Sequence, residues 1–104
     1  DATPTLVFDE IDTGVSGEVA KRIGTLMRKL SANYQLISVT HLPGVAAKGE
    51  HHIKIKKIEE QDKSISRLLE LTGDERVSEI ASMFSGNELN ESALDSAKSL
   101  LGLN

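Results

Sequence analysis

The chain has 104 residues, a size that fits one domain with a core of its own and not two. Hydrophobic residues make up 38%, charged residues 27% and aromatics only 3%, so the core must be aliphatic, and the lack of cysteine excludes a disulfide framework and any thiolate metal site. The formal net charge of −4 is not that of a freestanding nucleic-acid module, and no apolar run approaches the roughly 18 residues that span a bilayer.

The opening DATPT lacks the basic and apolar regions of a signal peptide and reads as a cut just before a strand. Leu6, Val7 and Phe8 form the continuous apolar run expected of a strand buried on both faces. The run meets three carboxylates, Asp9, Glu10 and Asp12. Burying carboxylates is costly, so an apolar strand that ends in acids ends at water, at a metal or at a catalytic site. The turn-rich DTGVSG follows, with Ser16 as helix N-cap and Glu18 in the first turn, where it suits the helix dipole. Val19, Ile23, Leu26, Met27 and Leu30 share one helical face, and the helix is predicted to end near Ala32 and Asn33.

Gln35 to Thr40 reads as a second buried strand, running into His41, Leu42, Pro43 and Gly44. Strand, helix and strand in this spacing form a right-handed βαβ unit with parallel strands. Both strands then end on one sheet edge, where open α/β sheets hold their ligands, and Asp9, Glu10 and His41 lie on it. From His51 onward, Ile53, Ile55 and Ile65 flank a polar EEQDK turn, which predicts antiparallel strands over about 51–58 and 63–70. Thr72 to Glu75 has capping-box spacing and introduces a helix with Val77, Ile80, Ala81 and Phe84 on one side, ended by Ser85 and Gly86. Asn90 caps a final helix carrying Ala93, Leu94, Ala97, Leu100 and Leu101.

Two carboxylates and an imidazole on one edge suit phosphate chemistry. A single Asp holds Mg²⁺ through water, because this ion keeps much of its hydration shell. A neighbouring Glu accepts a proton from attacking water, and a His hydrogen-bonds a terminal phosphate. The bland reading is acids in an ordinary loop on a non-enzymatic interaction module; a Mg²⁺-dependent phosphoesterase is a third reading. His51 and His52 are adjacent on a strand and point to opposite faces, which does not favour a shared metal. Lys48, Lys54, Lys56 and Lys57 read as the solvated face of an edge strand, with phosphate contact as the alternative.

TLVFDEIDTGVSG followed by ISVTHLPGVAAKG resembles the C-terminal end of the RecN family, SMC-like DNA-repair ATPases of the ABC class, and the resemblance covers nearly the whole chain. It departs at Gly44, where the family usually has Gln. The resemblance implies a partial P-loop NTPase fold of ABC/SMC-head type over residues 1–104: an α/β lobe made of a parallel βαβ unit, an antiparallel hairpin and two C-terminal helices. It implies ATP and Mg²⁺ as cofactors. By the same resemblance, Asp9 is expected to be the Walker B aspartate that supports the metal, Glu10 the general base, Asp12 part of the D-loop between paired heads, and His41 the switch histidine at the γ-phosphate. It implies as partners the N-terminal lobe of the same head, a second head in a homodimer, and DNA, in the bacterial cytoplasm at the nucleoid and away from membranes. No G-x-x-x-x-G-K-[ST] phosphate loop and no LSGG-type signature occur in the chain. The resemblance places a phosphate-loop strand beside the strand that ends at His41, with the 51–57 strand on its far side. The expectation is that the hairpin rearranges to close the resulting slot, or that the open edges pair with another chain.

Overall fold

The computed structural model describes residues 4–9, 14–86 and 89–103. The elements run β1 (Thr5–Asp9), α1 (Gly17–Leu30), β2 (Gln35–Val39), α2 (Pro43–Ala46), β3 (His52–Glu60), β4 (Lys63–Leu71), α3 (Gly73–Ser85) and α4 (Glu91–Leu100). β1 and β2 form one parallel pair, with Thr5 opposite Gln35 and Asp9 opposite Val39. β3 and β4 form a separate antiparallel pair, with His52 opposite Leu71 and Glu60 opposite Lys63. The parallel unit, the hairpin and the helix pair are those the sequence predicts. The hairpin does not close onto β2: among the described residues β2 and β3 belong to different sheets.

Both β1 and β2 are covered on one face only, not on both as their apolar runs predict. Phe8 and Leu36 pack beneath α1, whereas Val7 is 63% exposed and Ile37 49%. The reason is that α1 is the sole layer over this sheet among the described residues, and a continuous apolar run reports burial only in a sheet sandwiched on both sides. The buried face of α1 is also rotated from the predicted one. Ala20, Gly24 and Met27 are buried, whereas Leu26 is 60% exposed. Small residues replace large ones on this face because α2 approaches the helix backbone closely there. A Cβ placed on Gly24 would lie 2.7 Å from the Gly44 carbonyl oxygen and 3.3 Å from Val45 Cα.

Ser16 caps α1 by accepting from the Val19 amide, and the helix ends at Leu30, short of the predicted Ala32. The segment at Pro43 forms a one-turn helix not predicted from the sequence; Pro at its start supplies the fixed φ that helix entry needs. The hairpin strands extend to a two-residue turn, Gln61 and Asp62, both at positive φ. The predicted EEQDK loop is mostly strand, since a tight turn of this sort matches the strand twist. Thr72 precedes α3 but its side chain makes no capping bond, so the capping box does not form; Gly73, at φ +55°, turns the chain instead. Phe84 is 46% exposed rather than in the core. Asn90 caps α4 by accepting from the Ala93 amide at 2.8 Å.

Two apolar clusters result. One joins Ala20, Met27 and Val45 with Phe8, Ile23, Leu36 and Leu42. The other joins Ala47, Val77, Ile80, Ala81, Ala93 and Ala97. Val45 and Ala47 lie two residues apart, one in each cluster, so the α2 segment is the joint between them. Gly24→Ala tests this seating. Alanine adds about 1 kcal/mol of helix propensity, but a clash with backbone atoms costs about 1–3 kcal/mol. The expected net result is a lower urea midpoint for the chain; a raised midpoint would show that the two helices do not meet there.

Candidate functional site

The parallel register puts Asp9 opposite Val39, and Thr40 and His41 follow Val39 directly. Asp9 and His41 therefore leave the same C-terminal end of the pair, the end at which open α/β sheets hold ligands. Both are exposed, and neither side chain has a hydrogen-bond partner among the described residues. Glu10 and Asp12 lie outside the described residues. Beyond the strand, the Leu42 amide donates to Thr40 Oγ1 at 3.1 Å, which bends the chain from β2 into α2.

Asp9 offers a hard oxygen donor to solvent, and no group of three or more His, Asp or Glu side chains converges among the described residues. This donor set fits a hydrated Mg²⁺, which takes one or two carboxylates and retains several waters. A groove of about 320 Å³ opens nearby between α1, α2 and the ends of α3 and α4, walled by Leu42, Pro43, Phe84 and Leu100. Its lining is mostly apolar and includes neither Asp9 nor His41.

The segment after α2 is held by two arginines for which the sequence carries no local signal. Arg76 Nη2, on α3, donates to the carbonyls of Ala46 at 3.1 Å, Ala47 at 3.4 Å and Gly49 at 2.6 Å. Arg28 Nη1, on α1, donates to the Lys48 carbonyl at 2.7 Å. Burial, and secondarily the nearby Arg28, hold the Arg76 guanidinium below its ordinary range. Periodicity misses both residues because their partners are backbone carbonyls 20 to 30 positions away. Gly24 was open to detection: an isolated glycine inside a helical pattern marks close packing.

The two histidines are not neighbours on one strand as predicted: β3 begins at His52, and His51 precedes it. His51 is exposed, with Nδ1 3.2 Å from Glu70 Oε1. His52 is half-buried, and its Nδ1 has no hydrogen-bond partner among the described residues. Lys54 pairs with Glu79 on α3 at 2.8 Å, so this member of the basic stretch anchors the hairpin. Lys56 and Lys57 are exposed.

The α/β lobe shares its fold with part of an SMC ATPase structure. The fold matches a solved structure concerned with ATP-driven dimerization and DNA stimulated activation of SMC ATPases, at TM-score 0.61, over 69% of this chain and 42% of that one. Identity is 22%, so the likeness is one of fold. Sequence then gives the family. The chain is 41% identical over 99 residues to the DNA repair protein RecN of Vibrio cholerae and 43% identical over 99 residues to that of Deinococcus radiodurans. It is 45% identical over 102 residues to that of Rickettsia conorii. These alignments cover 95%, 95% and 96% of this chain. The chain belongs with the RecN family, and it spans 18%, 17% and 18% of the length of these relatives. No family model matches it.

His52 generates a pH prediction. Burial lowers its pKa from 6.5, with Arg76 and Lys54 acting the same way and Glu79 opposing. The unfolded chain therefore takes up this proton more readily than the folded chain does. Stability is whole above pH 6.5 and falls as pH drops from there through the lower folded value. His52→Gln should remove this part of the acid sensitivity. The check is the urea midpoint of both proteins between neutral and mildly acidic pH; parallel curves would rule out the effect.

Proposed function

We propose that this chain is the distal lobe of an ATP-hydrolysing head in a RecN-like protein of DNA double-strand break repair and recombination. The observation that carries the reading is the shared sheet end of Asp9 and His41 within a sequence 41% to 45% identical to RecN proteins. Asp9 holds Mg²⁺ through its water shell and so keeps a charge partner beside the phosphates. Bound Mg²⁺ supplies neutralisation of the charge that develops on the transferring phosphoryl group. Glu10 orients the attacking water and takes its proton. His41 hydrogen-bonds the γ-phosphate from the neighbouring strand end. Asp12 contributes to contact with a second head.

The chain carries no phosphate cradle of its own, and the proposed partner that supplies it is the N-terminal lobe of the same head. The bare faces support this. Val7, Ile37 and Val39 are exposed on the parallel pair, as are Ile53, Ile55 and Leu68 on the hairpin. Register puts Ile55 opposite Leu68, so these two form one apolar surface. In a RecN-length protein this surface is available to the remaining lobe. The full protein would act as a homodimer of heads on DNA in the bacterial cytoplasm; no helix among the described residues is long and apolar enough to cross a membrane. The same bare faces are what a purely docking module would present, so activity must separate the readings.

Glu10→Gln in the full-length protein is expected to leave ATP binding intact and to reduce turnover by about 10²–10⁴-fold, the usual worth of a general base. Unchanged turnover would favour the docking module. The 104 residues alone are expected to bind no ATP in titration calorimetry. Micromolar affinity would refute the need for a second lobe, and metal-dependent cleavage of a simple phosphate ester would favour a phosphoesterase.

A further inference from the structure

We propose that Arg76 is a positioning residue: by gripping the end of α2 it sets where His41 stands. The proposal rests on the hydrolytic reading of His41 above. Four successive carbonyls, Ala46 to Gly49, each accept from a guanidinium, and the two guanidinia come from different helices. Three of the four acceptors share the single nitrogen Nη2 of Arg76. The last carbonyls of a helix have no partner within it, so this end of α2 needs outside donors.

α2 has four residues, far too few to hold its own conformation in water. Its placement comes from what surrounds it: Gly44 against α1, Val45 in one cluster, Ala47 in the other, and the arginines at its C-terminal end. His41 lies just outside the opposite end of α2, one residue before its N-cap Leu42. A shift of the gripped end therefore carries through the packed turn and Leu42 to the backbone of His41. Arg76 is too committed to these carbonyls to serve the reaction directly. It also faces His52, and the neighbouring Glu79 holds Lys54, so the same stretch of α3 ties both the hairpin and α2.

The test is a double-mutant cycle on ATP hydrolysis in the full-length protein, using His41→Ala, Arg76→Gln and the pair. Arg76→Gln should lower kcat on the order of tenfold to a hundredfold, as ångström-scale misplacement does, with little change in KM. Adding it to His41→Ala should cause no further loss, because the group that Arg76 positions is already gone. Arg76→Lys, which keeps the charge and can reach some of the carbonyls, should restore part of the rate. Two independent losses that multiply would assign Arg76 a general structural role and overturn the proposal. Wild-type turnover in Arg76→Gln, with His41→Ala impaired, would overturn it and leave the hydrolytic reading standing. Full turnover in His41→Ala would remove that reading and the proposal with it. Should Arg76→Gln not fold, Arg28→Gln replaces it in the same cycle, with a smaller loss and the same absence of additivity expected.

Discussion

The structure depends on the seating of one short helical turn. Val45 enters the cluster under α1, Ala47 enters the cluster between α3 and α4, and the carbonyls that follow are bound by Arg28 and Arg76. Without this joint the βαβ unit and the helix pair share little. Neither cluster is large, and among their fully buried members only Ile80 is a large side chain. Close backbone approach at Gly24 and Gly44 therefore does what bulky side chains do in larger cores: it excludes water and fixes geometry.

That seating links architecture to chemistry. The turn begins just after His41, and His41 leaves the sheet beside Asp9. One side of the proposed site is thus set by a register of backbone hydrogen bonds, and the other by a helix held at both ends. Such positioning matters for phosphoryl transfer, where the protein contributes orientation and charge more than bond-making. Under the proposed function the arrangement would form one wall of a nucleotide site and not a whole one, and the chain spans a small fraction of its relatives' length.

Much of this was legible in the sequence for identifiable reasons. Apolar runs separated by one amphipathic helix predict the parallel pair; alternation around a polar turn predicts the hairpin; Ser16 and Asn90 cap their helices as predicted. The errors share one cause. Leu6 to Phe8 and Leu36 to Val39 read as fully buried because hydrophobicity records the environment a residue suits, not the one supplied by this stretch of chain. Leu26 and Phe84 were misplaced for a related reason: helical periodicity finds an apolar face but not the small-residue contact that wins over it. Asp9 and His41 were brought to one edge by topology alone. Arg76 was invisible because a side chain that binds backbone carbonyls leaves no trace in the identity of its partners.

The exposed apolar positions of the strands have a further consequence. Val7, Ile37, Val39, Ile53 and Ile55 are all β-branched. Side chains of this shape have few rotamers to lose and favour extended backbone even without neighbours above them. A sheet surfaced in this way stands ready before its cover arrives. Whatever settles on it meets a stiff template, and little conformational freedom remains to be surrendered on contact. Assembly of the proposed two-lobed head would then resemble the closing of a mould more than the folding of a chain.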